Sequence, residues 1–217
     1  MVRPFNISDV FLLLTGLQWT IALSGVAFVC GSIGGFAVAL ARVSPFVTLR
    51  VLAGLWIEIF QGTPLLLQLF VVYYGIAFLN IDLNPWIAVA IGLTLHGSAY
   101  LGEIWRGSIE AIPRGQSEAA YALGLRYPSR MAYVLLPQAF MIGLPATVGF
   151  LVQLIKGTSL AAIIGFAELA RQAQVVSNLT YQPLLAYGVA AIFYFMLCWP
   201  LSLASGRLEA RNSKTHR

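Results

Sequence analysis

The sequence predicts an all-α membrane protein with five transmembrane helices, and three observations carry that prediction. Of 217 residues, 59% are apolar and only 10% charged, with a mean hydropathy of +0.82, whereas a soluble domain carries about 25% charged residues. Uncharged or nearly uncharged runs of 20 residues or more recur along the chain, the length a helix needs to cross a bilayer core about 30 Å thick. The Lys and Arg residues sit at the ends of these runs rather than on one wet face. That placement is a topology signal and argues against nucleic-acid binding despite the formal charge of +5.

Residues 10–41 hold no charge and form the first span. A stretch this long, preceded by one Arg (Arg3), exceeds the 7–15 residues of a signal h-region, so no cleavable signal is expected. Residues 51–80 form the second, with Glu58 as its one charge. Inserting that carboxylate costs about 2.5–3.5 kcal/mol, against roughly −7 kcal/mol from sixteen Leu, Ile, Phe and Val residues over 51–79. Insertion survives, and an intramembrane Glu is a functional candidate. Gly62-Thr63-Pro64 should kink this span and free backbone carbonyls.

Residues 84–109 form the third span. His96 falls near its midplane with Tyr100 on the same face; a histidine satisfied by a neighbour and a substrate contact are both open readings. Glu103 has Arg106 one turn on, which reads first as an i,i+3 ion pair. Residues 131–155 form the fourth span. The uncharged run 172–206 supplies the fifth, placed at 183–206. Leu160–Ala167 is apolar but too short to cross and reads as an interfacial or re-entrant piece. Trp19, Trp56, Trp86, Trp105 and Trp199 mostly lie near span ends and suggest an interfacial belt.

Ten basic residues (Arg42, Arg50, Arg106, Arg114, Arg126, Arg130, Arg207, Arg211, Lys214, Arg217) fall on one side and three (Arg3, Lys156, Arg171) on the other. The richer side is cytoplasmic, so the N-terminus is outside, the C-terminus inside and the 110–130 segment in the cytosol. Within it, residues 116–124 predict a short helix: Pro113 and Gly115 break the third span, and Ser117 caps a helix opening at Glu118. Ala119, Ala120 and Leu123 give it an apolar stripe, Gly124 stops it in the left-handed conformation, and Pro128 blocks resumption. A helix of about eight residues does not persist alone in water and must be held by packing.

Cys30 and Cys198 lie inside apolar runs, far apart, with no cluster that indicates a metal or redox site. There is no HExxH or GxSxG motif, so no enzyme site is evident, and no GxxxxGK[ST] loop, so the chain is not an ATPase. A single unit of 217 residues with five spans is thin for enclosing a solute path.

The run EAAYALGLRYPSRMAYVLLP at 118–137 resembles the EAA loop of ABC importer permeases at every fixed position except Val134. IEIFQGTPLLLQLFVVYYG at 57–75, SAYLGEIWRGSIEAIPRGQ at 98–116 and IKGTSLAAIIGFAEL at 155–169 are similar to the histidine/glutamine branch, the polar amino acid permeases. The resemblance, over about residues 16–209, implies a type I ABC importer permease fold in the bacterial cytoplasmic membrane. It implies that Gly115, Glu118, Ala119, Ala120, Leu123 and Gly124 form the coupling helix, seated on a cytosolic ABC ATPase dimer that binds ATP and Mg. It further implies a second, identical or similar, permease chain and a periplasmic or lipid-anchored amino acid binding protein. Glu58, Thr63, His96 and Glu103 become candidates for the path, and Thr158 and Ser159, in Lys156-Gly157-Thr158-Ser159, for a polar lining or gate. A permease for another small solute, or an autonomous channel or secondary carrier, are the alternatives.

Overall fold

A computed structural model describes residues 3–78, 80–81 and 84–215, with side chains through 212. Arg217 and the side chain of Lys214, both counted in the charge asymmetry, lie outside the described set. The chain folds as α1 (Ile7–Arg42), α2 (Val47–Gly62), α3 (Leu65–Phe78), α4 (Pro85–Glu110), α5 (Arg114–Ala122) and α6 (Tyr127–Arg130). A π-helical turn (Met131–Leu135), α7 (Leu136–Gly157), a 3-10 segment (Thr158–Ile164), α8 (Leu169–Thr180) and α9 (Pro183–Thr215) follow. Ile7–Arg42, Pro85–Glu110, Tyr127–Ile164 and Pro183–Asn212 are each long and apolar enough to cross a bilayer; α2 and α3, meeting at 105°, make five when taken as one broken span.

The centre of the fold is the seam between α1 and α4. Ala27, Gly31, Gly35 and Ala39 recur every fourth residue and share one buried face of α1. Opposite them lie Gly97, Ser98, Leu101 and Gly102, all buried. A Cβ on Gly35 would lie 2.9 Å from Leu101 Cβ and 3.0 Å from the Gly102 backbone nitrogen; one on Gly31 would lie 3.3 Å from the Gly97 backbone. Lipid offers no hydrophobic drive between helices, so close backbone approach through small residues is what holds such a pair. The four-residue spacing was readable in the sequence.

Prolines interrupt the remaining spans, and at Pro145 a neighbouring side chain satisfies the carbonyl that the proline frees. Pro145 lies inside α7 and has no N–H for the Met141 carbonyl four residues back. Asn212 Nδ2 of α9 donates to that carbonyl at 2.6 Å, and Ser205 Oγ to the Pro145 carbonyl at 2.8 Å. Pro137 opens α7 just after the π turn, where Gln138 Nε2 donates to Val134 O at 2.7 Å. Bulges of this kind let a helix accommodate a missing donor.

Three expectations are corrected, and one apolar run is divided. The short helix begins at Arg114 behind Pro113, which makes no side-chain cap, so Ser117 is an interior residue and Gly115 is helical rather than a breaker. The fixed φ of Pro113 suffices to end one helix and set up the next. Pro128 does not block resumption: it occupies the first turn of α6, where a missing N–H costs nothing. The uncharged run 172–206 is divided at Tyr181 in the left-handed conformation (φ 54°), and α9, the helix over the span placed at 183–206, starts at Pro183. Finally, Trp56 Nε1 donates to Ser98 Oγ at 3.0 Å and Trp105 Nε1 to Thr147 Oγ1 at 2.9 Å, so these two indoles join helices within the fold instead of forming a belt.

Candidate functional site

The predicted kink at Gly62-Thr63-Pro64 is a full break. Thr63 has extended backbone (φ −115°, ψ 142°), as the residue before a proline must. The break leaves carbonyls at the end of α2 without helical partners. Gln68, buried on the first turns of α3, reaches back to them: its Nε2 lies 2.7 Å from Phe60 O, 2.9 Å from Thr63 O and 2.9 Å from Thr63 Oγ1. Thr63 Oγ1 in turn donates to Ile59 O at 2.7 Å. The Gln68 Oε1 faces α4, where His96 Nδ1 lies 3.0 Å away. Tyr100 and Phe150 flank the imidazole, with ring centroids at 4.4 and 6.3 Å.

Gln68 therefore ties the broken span to the third span, and sequence reasoning missed it. The signal was there: a glutamine four residues past an intramembrane proline is placed to serve the carbonyls that the proline frees. One nitrogen of His96 is satisfied by this neighbour while its side chain stays partly exposed, so a structural bond and an open face occur together.

Glu103 and Arg106 form the expected ion pair, with Nη2 to Oε1 at 2.5 Å and Nε to Oε2 at 2.8 Å; Arg106 also binds Glu110. Glu58 is exposed and, among the described residues, makes no hydrogen bond or ion pair. It lines a shallow cleft of about 340 Å³ with Arg42 and Arg50. The break thus brings Thr63, Gln68 and His96 together, while Glu58 and Glu103 stand apart from that cluster.

Thr158 is fully buried and donates to Ile155 O at 2.7 Å, and Ser159 donates to Lys156 O at 2.7 Å. The predicted re-entrant piece is the 3-10 segment, ended by Gly165 in the left-handed conformation (φ 91°). Behind it sits a second residue the sequence reading passed over. Glu168, fully buried, caps α8 by accepting from Ala170 N and Arg171 N at 2.9 and 2.8 Å and from Tyr194 Oη at 2.7 Å. Burial raises its carboxyl above the ordinary range, against those hydrogen bonds, which lower it.

The short helix α5 has the predicted stop. Gly124 lies at φ 78°; its N–H donates to Tyr121 O at 2.9 Å and that of Leu125 to Ala120 O at 3.1 Å, the paired bonds of a Schellman motif. Ala120 alone of the expected stripe is buried in the chain's own packing, and Ser117 one turn earlier is partly so. Gly115, Glu118, Ala119 and Leu123 are exposed, with Tyr121 at 73% and Leu123 at 83%. Tyr121 and Leu123, two residues apart, project from opposite sides of the buried Ala120 position, so the helix exposes apolar side chains on both flanks.

A family profile for the binding-protein-dependent transport system inner membrane component matches residues 10–214. The chain is 39% identical over 198 residues to the L-cystine transport system permease protein TcyB of Bacillus subtilis, covering 90% of this chain and 84% of that one. It is 32% identical over 215 residues to the probable glutamine ABC transporter permease protein GlnM of the same organism, covering 97% and 100%. Among solved structures, an amino acid ABC transporter crystallised with histidines superposes with a TM-score of 0.88 at 33% identity, over 94% of this chain and 96% of that one. The inward-facing MetNI methionine ABC transporter gives 0.82 at 19% identity, over 95% and 99%, a likeness of fold alone.

Proposed function

The chain belongs to the family of binding-protein-dependent transport system inner membrane components, and from that premise we propose that it is the permease subunit of an ATP-driven importer of polar amino acids. Its membrane is the bacterial cytoplasmic membrane, with the N-terminus outside and the C-terminus and α5 in the cytosol, as the ten-to-three charge asymmetry requires. A cytosolic ATPase dimer supplies ATP hydrolysis, a second permease chain completes the path, and a binding protein delivers the solute. The relatives named for cystine and glutamine transport and the amino acid transporter of known structure support an amino acid as cargo.

The observation that carries the mechanism is α5. Its Ala120 face is anchored on the chain's own helices while Tyr121 and Leu123 project outward beside the Gly124 stop. A nine-residue helix packed beside α6 and the π turn that opens the fourth span is placed to pass displacement into that span. We assign coupling to Gly115, Glu118, Ala119, Ala120, Leu123 and Gly124. We place the solute path along the broken span and the facing part of α4, with Glu58, Thr63, His96 and Glu103 as its polar residues and Thr158 and Ser159 at its outer end.

Reconstitution in proteoliposomes tests the reading. With an ATPase partner and a binding protein present, cystine, arginine or glutamine should raise ATP hydrolysis and accumulate inside. Uptake by the purified chain alone, without ATP, would instead establish a channel or secondary carrier.

A further inference from the structure

The hydrogen bonds around Gln68 fix more than the bend. Its amide nitrogen faces Phe60 O and Thr63 O, and carbonyl oxygens only accept. The amide is therefore oriented by its partners, with Nε2 towards the break and Oε1 towards His96. Thr63 Oγ1, the third neighbour of Nε2, already donates its proton to Ile59 O and so also accepts. Since Oε1 has no proton to give, the contact at 3.0 Å requires His96 Nδ1 to be the donor. A neutral imidazole carries one N–H, so its Nε2 is left bare. Among the described residues that nitrogen has no hydrogen-bond partner, and the ring is partly exposed on the α4 face turned to the broken span.

We infer that Gln68 is a positioning residue which, while clamping the break between α2 and α3, locks His96 as the Nδ1–H tautomer and thereby presents Nε2 as a hydrogen-bond acceptor for the α-ammonium group of a passing amino acid. The inference rests on the amino acid reading above for its solute but on local geometry alone for its tautomer. An acceptor suits this purpose because an ammonium offers three donors and no acceptor. The aromatic rings of Tyr100 and Phe150, stacked at 5.5 Å, hold the imidazole plane in one orientation. The same bond couples the bend to the acceptor: a movement that straightens the break withdraws Oε1 and releases the tautomer.

The test has two arms. In the full-length chain in lipid bilayers, with ¹⁵N-histidine and His216→Gln so that one imidazole signals, nitrogen NMR at neutral pH should show protonated Nδ1 and bare Nε2. Gln68→Leu should abolish that preference; Gln68→Glu, which still accepts from Nδ1 but cannot donate to the carbonyls, should keep it. An Nε2–H ring in the parent, or a preference indifferent to Gln68→Leu in protein that remains folded, overturns the positioning role. If Gln68→Leu does not fold, the parent spectrum and Gln68→Glu decide.

For the second arm, His96→Asn keeps a donor where Nδ1 stood and removes the acceptor at the Nε2 position together with the ring. In the assembled importer it should raise the KM for the transported amino acid about tenfold, the loss expected for one charge-assisted hydrogen bond, with the thermal midpoint of the parent. An unchanged KM overturns the acceptor role. A parent that transports none of cystine, arginine and glutamine defeats the functional reading instead, and the NMR arm then decides the positioning role by itself.

Discussion

Two contacts made by the third span are built in opposite ways. Against α1 it is lined by small residues, with backbones so close that a Cβ added to Gly31 or Gly35 would lie 2.9–3.3 Å from its nearest neighbour. Against the broken span, packing of Leu69 is joined by hydrogen bonds: His96 Nδ1 meets Gln68 Oε1, and Trp56 Nε1 donates to Ser98 Oγ. The first contact has no slack, because every displacement loses dispersion over a whole face at once. The second depends on a few directional bonds that can exchange partners. The difference predicts where this molecule should move: α1 and α4 should stay together as one body, and α2 with α3 should be the piece re-angled against it.

The seam should break most severely. Gly35→Leu places a branched side chain against Leu101 and the Gly102 backbone, at a cost of about 3 kcal/mol or more. Folded monodisperse protein should fall sharply in size-exclusion chromatography, and full recovery at the parent's melting temperature would refute a rigid seam. Gln68→Leu attacks the other contact. It leaves the Phe60 and Thr63 carbonyls and the His96 N–H without partners, a penalty of about 2–3 kcal/mol, yet the α1–α4 body should survive. The expected outcome is a lowered melting temperature and lost uptake with intact membrane insertion.

A third substitution lies outside both contacts and asks whether movement must enter from α5. Gly124→Val forces a β-branched residue to φ 78°, costing about 1–2 kcal/mol locally. Insertion and melting should change little, while amino acid-stimulated ATP hydrolysis should be lost; normal stimulation would remove the coupling role. The smallest effect is expected from Asn212→Ala, which removes the donor to the Met141 carbonyl behind Pro145. About 1 kcal/mol of stability should go, visible as a modest shift in thermal melting, with transport retained.

Much of this arrangement was legible in the sequence. The first and third spans, the break before Pro64, the Glu103–Arg106 pair and the left-handed Gly124 all follow from local rules. What escaped did so for identifiable reasons. Ser117 satisfies a capping pattern, but the fixed φ of Pro113 had already started the helix. Trp56 and Trp105 sit where interfacial tryptophans sit, yet the partners 42 residues away that turn them inward are invisible to a local reading. Glu168 looks like a loop acid until α8 and Tyr194 close over it.

The sequence by itself determined how many segments are apolar enough to enter lipid, where prolines and glycines interrupt them, and which loops carry the positive charge. These are properties of one stretch of chain against a solvent, and composition decides them. Only the tertiary structure decided that the interruption is a bend of 105°, that Gln68 serves the carbonyls it frees, and that His96 and Glu168 are held by partners from other helices. Those outcomes depend on which donor meets which acceptor across helices distant in the chain, and the spacing along any single helix does not contain that information.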